Sequence, residues 1–504
     1  MFGKILFFRL SLVIIIFYHF VTFASDKWSL WNGETSLRGA NIYQRKVYPE
    51  LDGPTFLGPG YVGPPYTQQD FNRLVAMGAN YVNISHPGLF TEKPPYLLDE
   101  DIQTNLDNLL QMIEQADMFA VISFRTGPGR SEFTFFWGED GDWFDAGYYN
   151  DQVWVEQEAQ DAWVEMWRYT AARYRNNPIV VGYDLMVEPN SNEVWLDLWD
   201  QNEFYQNYGG TLYDWNQLFP RITQAIRTVD QATPILVGGM GYSAMDWLPY
   251  IQPSGDLGTV YTVHQYAPYV YTHQEPPLNK TYPGYFDADW DGVPDQVNQD
   301  WLTNLYSTID DFKAAYKVPV AINEFGLMRW EPGAAEFMND QMNLMEQKGM
   351  NYALWIWETS WEEYEQEVDA FHFRHGPDPN HHSDVVSSDL INTIVNHWQM
   401  NTVRPSNFSG ETYYVSTQGS DNNDGLTPQT AWRTLQFAAD QVTPGDSVKI
   451  LAGTYQGFTL QRSGLSGAYI TFCGVSKDDV IVQDGIELGK SVSFVKLTDL
   501  TVQG

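Results

Sequence analysis

Val180-Val181-Gly182-Tyr183-Asp184-Leu185-Met186-Val187-Glu188-Pro189-Asn190 is an almost unbroken apolar run that ends in a carboxylate and then a proline. A run of this length without alternation suits a strand buried on both faces, as in a parallel sheet covered by helices. Proline cannot donate to a ladder, so the strand stops there, and Glu188 falls at its carboxyl end. A second segment has the same design: Val318 to Ile322 is β-branched and apolar, and Asn323-Glu324-Phe325-Gly326 follows, with a glycine that lets the backbone turn away.

Outward from these two, similar short runs recur at Leu37 to Ile42, Tyr81 to Ile84, Ala120 to Phe124, Pro234 to Val237, Val260 to His264 and Tyr352 to Ile356. Amphipathic stretches separate them, among them Gln69 to Met77, Ile102 to Ala116, Val153 to Tyr174, Trp215 to Val229, Leu302 to Tyr316 and Ala335 to Lys348. Eight strand-helix units predict an α/β fold, a closed (β/α)8 TIM barrel over residues 25–400, with its site at the carboxyl ends of the strands. There Glu188 and Glu324 lie on near-opposite strands and face each other. Two carboxyl groups about 5 Å apart can divide the work of cleaving a glycosidic bond, one protonating the leaving oxygen and the other attacking the anomeric carbon. A single glutamate at a strand end is more often a salt-bridge partner; the pair, with these flanks, is what points to chemistry.

Both segments resemble glycoside hydrolase family 5, the cellulase and mannanase family, over about Trp28 to Trp398. Leu37-Arg38-Gly39-Ala40-Asn41, Val263-His264-Gln265-Tyr266 and Ala353-Leu354-Trp355 add to the resemblance. It implies that Glu188 is the acid/base and Glu324 the nucleophile of a retaining hydrolase acting on a β-linked glucan or mannan. It further implies that His264 and Tyr266 flank them and that Trp355 floors the sugar at the cleavage point. A tryptophan face stacks on the apolar face of a pyranose, and a phenol can hydrogen-bond a carboxylate without competing as a base. Strand alternation puts Trp357 on the same face as Trp355, so pattern alone leaves the register open.

The chain departs from the family at three positions. Val187 stands where an Asn usually binds the sugar 2-hydroxyl, Asn83 where the second strand usually carries Arg, and Arg125 where the third usually carries His; by those places Asn83 and Arg125 are expected to line the cleft and bind substrate with His264, Tyr266 and Trp355. Arg125 either reaches Glu324 in place of the missing Arg or makes an ordinary salt bridge. With one hydroxyl reader gone, a non-hydrolytic carbohydrate-binding barrel is the competing reading. An auxiliary barrel serving a polysaccharide lyase is a third.

Asp287-Ala288-Asp289-Trp290-Asp291-Gly292-Val293-Pro294-Asp295 places carboxylates at alternating positions before a turn glycine, the opening of a calcium loop. Asn298 replaces the bidentate Glu of an EF-hand, so the reading is a structural calcium held by Asp287, Asp289, Asp291 and Asp295, against a plain acidic loop. No organic cofactor is implied. The aromatic loop Phe133 to Tyr149 reads as a cleft wall.

Composition narrows the partners. With 64 acidic against 28 basic residues and a formal charge of −36, nucleic acid is excluded as a partner, and a neutral polysaccharide or oligosaccharide fits better than a polyanion. Residues 1–24, with Lys4 and Arg9 before an apolar run and small residues at its end, read as a signal peptide, with an uncleaved membrane anchor as the alternative, for which the apolar run is short of the ~20 residues a spanning helix needs. Removal of the signal peptide leaves a secreted, periplasmic or cell-surface protein, expected to be monomeric and free of the membrane. The one cysteine, Cys473, reads as a buried inert thiol. After a polar linker at 401–411 the pattern changes to strands without crossover helices. Thr412-Tyr413-Tyr414-Val415, Ala431-Trp432-Arg433-Thr434-Leu435 and Gly445-Asp446-Ser447-Val448 resemble the opening of right-handed parallel β-helix proteins, and 412–504 reads as a truncated piece of one.

Overall fold

In the computed structural model, residues 27–136, 144–407, 410–464, 469–490 and 492–503 are described; residues 1–24, read from sequence as a signal peptide, lie outside them. Among the described residues no helix is long and apolar enough to cross a membrane.

The eight apolar runs form eight parallel strands: β1 (Arg38–Tyr43), β2 (Tyr81–Pro87), β3 (Phe119–Thr126), β4 (Val180–Asp184), β5 (Ile235–Gly238), β6 (Thr259–Gln265), β7 (Val320–Phe325) and β8 (Tyr352–Leu354). They close into a barrel in chain order, β1 pairing with both β2 and β8. The predicted helices cover the outside, including Glu100–Gln115, Gln157–Tyr174 and Gln299–Tyr316.

Strand alternation sorts the side chains into two shells. Ile42, Val82, Ile84, Ala120, Ile122 and Val237 face the helices and join one large core. Tyr81, Phe119, Val121, Leu236, Val260, Ala321 and Ala353 fill the barrel's interior, where Trp31 joins them and donates its indole N–H to the Val181 carbonyl at 2.9 Å. Above this apolar layer lies a polar one. Asn83 donates to Asn41 at 2.7 Å, Ser123 Oγ lies 2.6 Å from Asn83 Oδ1 and 3.0 Å from Asp184 Oδ2, and Asn323 donates to Asp184 at 2.8 Å. Five strands are thereby tied together below the mouth.

The C-terminal segment builds two parallel sheets. One contains β9 (Thr412–Val415), β10 (Ser447–Ile450), β12 (Ile470–Gly474) and β14 (Val495–Thr498); the other contains β11 (Gly453–Leu460), β13 (Val480–Leu488) and β15 (Thr501–Gln503). Val448, Ile450, Tyr455, Leu460, Phe472 and Val482 form their own core, separate from the barrel's. Cys473 departs from expectation: it is half-buried, because alternation turns Phe472 inward and its neighbour outward.

Candidate active site

β7 carries Glu324 opposite His264 of β6 in register. Glu188 lies four residues beyond the end of β4 and has φ 54°, left-handed without being glycine, which costs roughly 1–2 kcal/mol. The fold converges these side chains. His264 Nδ1 lies 2.9 Å from Glu188 Oε1 and 3.6 Å from Glu324 Oε2, and the Tyr266 hydroxyl donates to Glu324 Oε1 at 2.8 Å. One carboxylate oxygen from each glutamate and one nitrogen of His264 all lie within 4.8 Å of one another.

Removal from water makes this cluster electrostatically tight. Burial pushes the Glu324 carboxyl up to about 7, the charge of His264 opposing and that of Glu188 adding. Burial acts the same way on Glu188, but the hydrogen bond and charge of His264, with Arg125 and Arg130 beyond, outweigh it and hold that group below its ordinary value. Burial would lower His264, yet the two carboxylates facing it lift it to about 9. These directions favour a charged imidazole at His264, the ionised form of Glu188 and the protonated form of Glu324.

The other predicted residues take varied places. Trp355 is half-buried with its ring 6.1 Å from that of Tyr43, whereas Trp357 is fully buried. Arg125 pairs with Glu132, its Nε at 2.9 and 3.1 Å from the two oxygens, in place of a contact with Glu324. The bridge is buried rather than superficial. The reason is a neighbour that pattern reading passed over: Glu132 also accepts from the Tyr43 hydroxyl at 2.7 Å. Asn83 belongs to the polar layer inside the barrel, buried and hydrogen-bonded to Asn41 and Ser123. Val187 is buried, its N–H continuing the ladder to Phe124 at 2.9 Å.

Arg130 was invisible to strand-end reading because it belongs to the turn after β3. Its fully buried guanidinium donates to the carbonyls of Val187 and Glu188, at 2.7 Å each, and to Asn190 Oδ1 at 3.3 Å. Two exposed aromatic surfaces were also missed. Trp199 stacks on Tyr242 at 6.2 Å between centroids. Tyr269 stacks on His273 at 3.9 Å, His273 packs edge-on to Tyr266 at 5.2 Å, and Trp290 lies 6.5 Å beyond Tyr269. Of the aromatic loop at 133–149, residues 137–143 lie outside the described ones; Phe133 packs on Phe144 and Tyr148, at 4.6 and 5.4 Å.

The acidic loop brings Asp287, Asp289 and Asp291 together within 4.8 Å. Asp295 is not in that group; its carboxylate accepts from the Ala288 N–H at 3.2 Å.

A parallel eightfold barrel with two facing carboxyls at its mouth, Glu324 buried and Glu188 half-buried, is the architecture of a glycoside hydrolase. The pattern of the family described as Cellulase (glycosyl hydrolase family 5) matches residues 43–360, and the chain belongs to that family. Endoglucanase C of Acetivibrio thermocellus is 20% identical over 346 residues, 63% of this chain and 88% of that protein. An endoglucanase of Paenibacillus polymyxa is 25% identical over 163 residues, 29% of this chain and 38% of its own. Among solved structures, Cel5A of Thermotoga maritima in complex with cellobiose superposes with a TM-score of 0.51 at 17% identity, covering 73% of this chain and 99% of that one. The same protein has also been solved with mannotriose, with a TM-score of 0.50 at 17% identity, covering 73% of this chain and 100% of that one.

Proposed function

We propose that the protein is an exported retaining hydrolase of β-linked glucans. The observation that carries the reading is the approach of Glu188 and Glu324, whose oxygens come within 4.8 Å. An inverting enzyme needs about 6.5–9.5 Å between its carboxyls to admit a water; a retaining one needs about 5–5.5 Å. Glu324 attacks the anomeric carbon as the bond to the leaving oxygen breaks, and Glu188 gives that oxygen its proton. Glu188 then takes a proton from water, which displaces Glu324 from the sugar. Tyr266 fixes the attacking oxygen's partner, and Trp355 supplies the floor. In the substrate-free site the imidazolium lies nearer Glu188, so the shared proton rests on Glu324; a bound sugar has to draw His264 toward Glu324 and leave the proton on Glu188.

A glucan is favoured because relatives matched over 88% of their own length are named endoglucanases. The exposed faces of Trp199, Tyr269 and Trp290 support a polymer over a small glycoside. The reading is tested by hydrolysis of β-glucans, mannans and aryl β-glycosides, with the anomer followed by NMR. We expect glucan cleavage with retention, and a loss of about a thousandfold or more in kcat for Glu188→Gln on natural glucan and for Glu324→Gln on all substrates. Binding without cleavage across the whole panel makes this a carbohydrate-binding barrel instead; inversion rejects the double displacement.

Export rests on residues 1–24, and N-terminal sequencing of the mature protein from its native host tests it: an intact Met1 rejects it. Calcium rests on the three converging carboxylates, which make no salt bridge among the described residues, and on Asp287 Oδ1, a buried oxygen without a hydrogen-bond partner. Oxygen ligands in a flexible loop suit that ion. Calorimetric titration of chelator-treated protein should give one site that Asp289→Asn abolishes; no heat with the untouched loop refutes it.

A further inference from the structure

We infer that Arg130 is a positioning residue for Glu188, clamping the backbone on either side of it so that the carboxyl is held toward the cleft. The inference rests on the reading of Glu188 as proton donor.

Glu188 holds a left-handed φ of 54° without being glycine, and such a conformation persists only where the surroundings over-determine it. Val187 N–H donates to the Phe124 carbonyl and Tyr242 N–H to the Pro189 carbonyl, and one side chain, Arg130, holds the backbone on both sides of Glu188. Arg130 Nη1 donates to the Val187 carbonyl, and Nη2 to the Glu188 carbonyl and the Asn190 side chain, so all three acceptors belong to residues at or flanking Glu188. The carboxylate itself is untouched and remains free for His264 and substrate.

The arrangement is costly, which argues for a purpose beyond packing. Arg130 is fully buried and, among the described residues, makes no salt bridge; its donors meet carbonyls, the ring of Phe135 lies 4.7 Å away, and the more distant charges of Glu188 and Glu132 are offset in part by that of Arg125. An apolar side chain of the same length would fill the space without that desolvation penalty. The turn that delivers it is equally constrained. Gly127 and Arg130 exchange backbone hydrogen bonds at 3.0 and 2.8 Å, and Gly129, at φ +69°, has the Val153 nitrogen 2.7 Å from where a Cβ would sit. The positive charge beside Glu188 also favours its ionised form, which is the form that must take a proton from water in the second step.

A clamp on the proton donor has a signature that a merely structural residue lacks. Leaving groups of low basicity depart without protonation; sugar hydroxyls do not. In the full chain, Arg130→Met should lower kcat/KM on cello-oligosaccharides by about a hundredfold, and on a dinitrophenyl β-cellobioside by less than about tenfold, with added azide restoring its turnover. Arg130→Lys, which keeps the charge and one donor, should recover part of the loss and shows the same leaving-group dependence if Arg130→Met does not fold. Active-site titration normalises each rate to intact sites. Equal loss on both substrates per intact site overturns the proposal, as does no loss on either. Glu188→Gln, measured alongside, separates the two failures: without leaving-group dependence in that variant, the reading of Glu188 as donor falls, and the role of Arg130 with it.

Discussion

His264 sets the charge of the site from 2.9 Å on one side and 3.6 Å on the other, so its removal has a predictable sign. Hydrolysis requires one proton on the glutamate pair. Raising the pH through about 7, to which burial lifts Glu324, strips that proton, so kcat/KM should decline above neutrality. His264→Gln removes the imidazolium that opposes protonation and should move this alkaline limb to higher pH; a fixed or lowered limb contradicts the electrostatic account. Arg125 and Glu132 make a second residue-scale case. Their pair is buried, with the Nε–H of Arg125 shared between both oxygens of Glu132, and Glu132→Gln removes the carboxylate hydrogen-bonded to that guanidinium, so the folded state should lose about 3–5 kcal/mol in urea denaturation. An effect under 1 kcal/mol would place the pair with exposed bridges, which contribute little.

At the scale of elements, the segment after β8 and the insertion after β6 carry different burdens. Glu358, just beyond β8, is buried, and desolvation pushes its carboxyl up to about 8 against the opposing charge of Arg374. The folded protein therefore holds this proton more tightly than the unfolded chain does, and its stability falls as pH rises from about 4.5 to about 8. Glu358→Gln should flatten that decline in a series of melting temperatures from pH 5 to pH 8; an unchanged slope means other groups control it. The insertion after β6 displays Trp290 at 69% exposure, where it supports no core. Trp290→Ala should raise KM for a soluble β-glucan by roughly three- to tenfold while leaving stability and turnover of a short aryl glycoside unchanged. A loss on the aryl glycoside would assign the side chain to the loop's architecture instead.

Considered whole, the described residues bury the C-terminal sheets around a core that has no buried residue in common with the cores in and around the barrel. Every residue of the carboxylate cluster comes from the barrel. Ending the chain at residue 407 should accordingly leave kcat/KM within about twofold, because the C-terminal sheets supply no side chain to that cluster. A larger loss would reveal that the C-terminal sheets hold the barrel in its active form.

The barrel was legible because its information is periodic and local. Eight apolar runs separated by amphipathic stretches leave few ways to bury every strand on both faces, and strand ends mark where Glu188, Glu324 and His264 emerge. Parity carried further, to the choice between Trp355 and Trp357, and then stopped, since alternation puts both on one face; that one is half-buried and the other fully buried came only with the fold. What no local pattern contains is which distant group a charged side chain meets. Arg125 had an equal claim on Glu324 and on a salt bridge until the turn after β3 brought Glu132 within 2.9 Å of it. Asn83 read as a cleft residue until closure of the barrel surrounded it with Asn41, Ser123 and Asn323. Arg130 carried no signal at all, because its partners are backbone carbonyls 57 and 58 residues away, and every residue has a carbonyl. Hydrophobic periodicity is written into the chain one turn or strand at a time, and so the sequence sufficed for the fold and the two carboxylates; the ion pairs, the polar layer and the clamp on Glu188 are set by long-range closure, and only the folded barrel decides them.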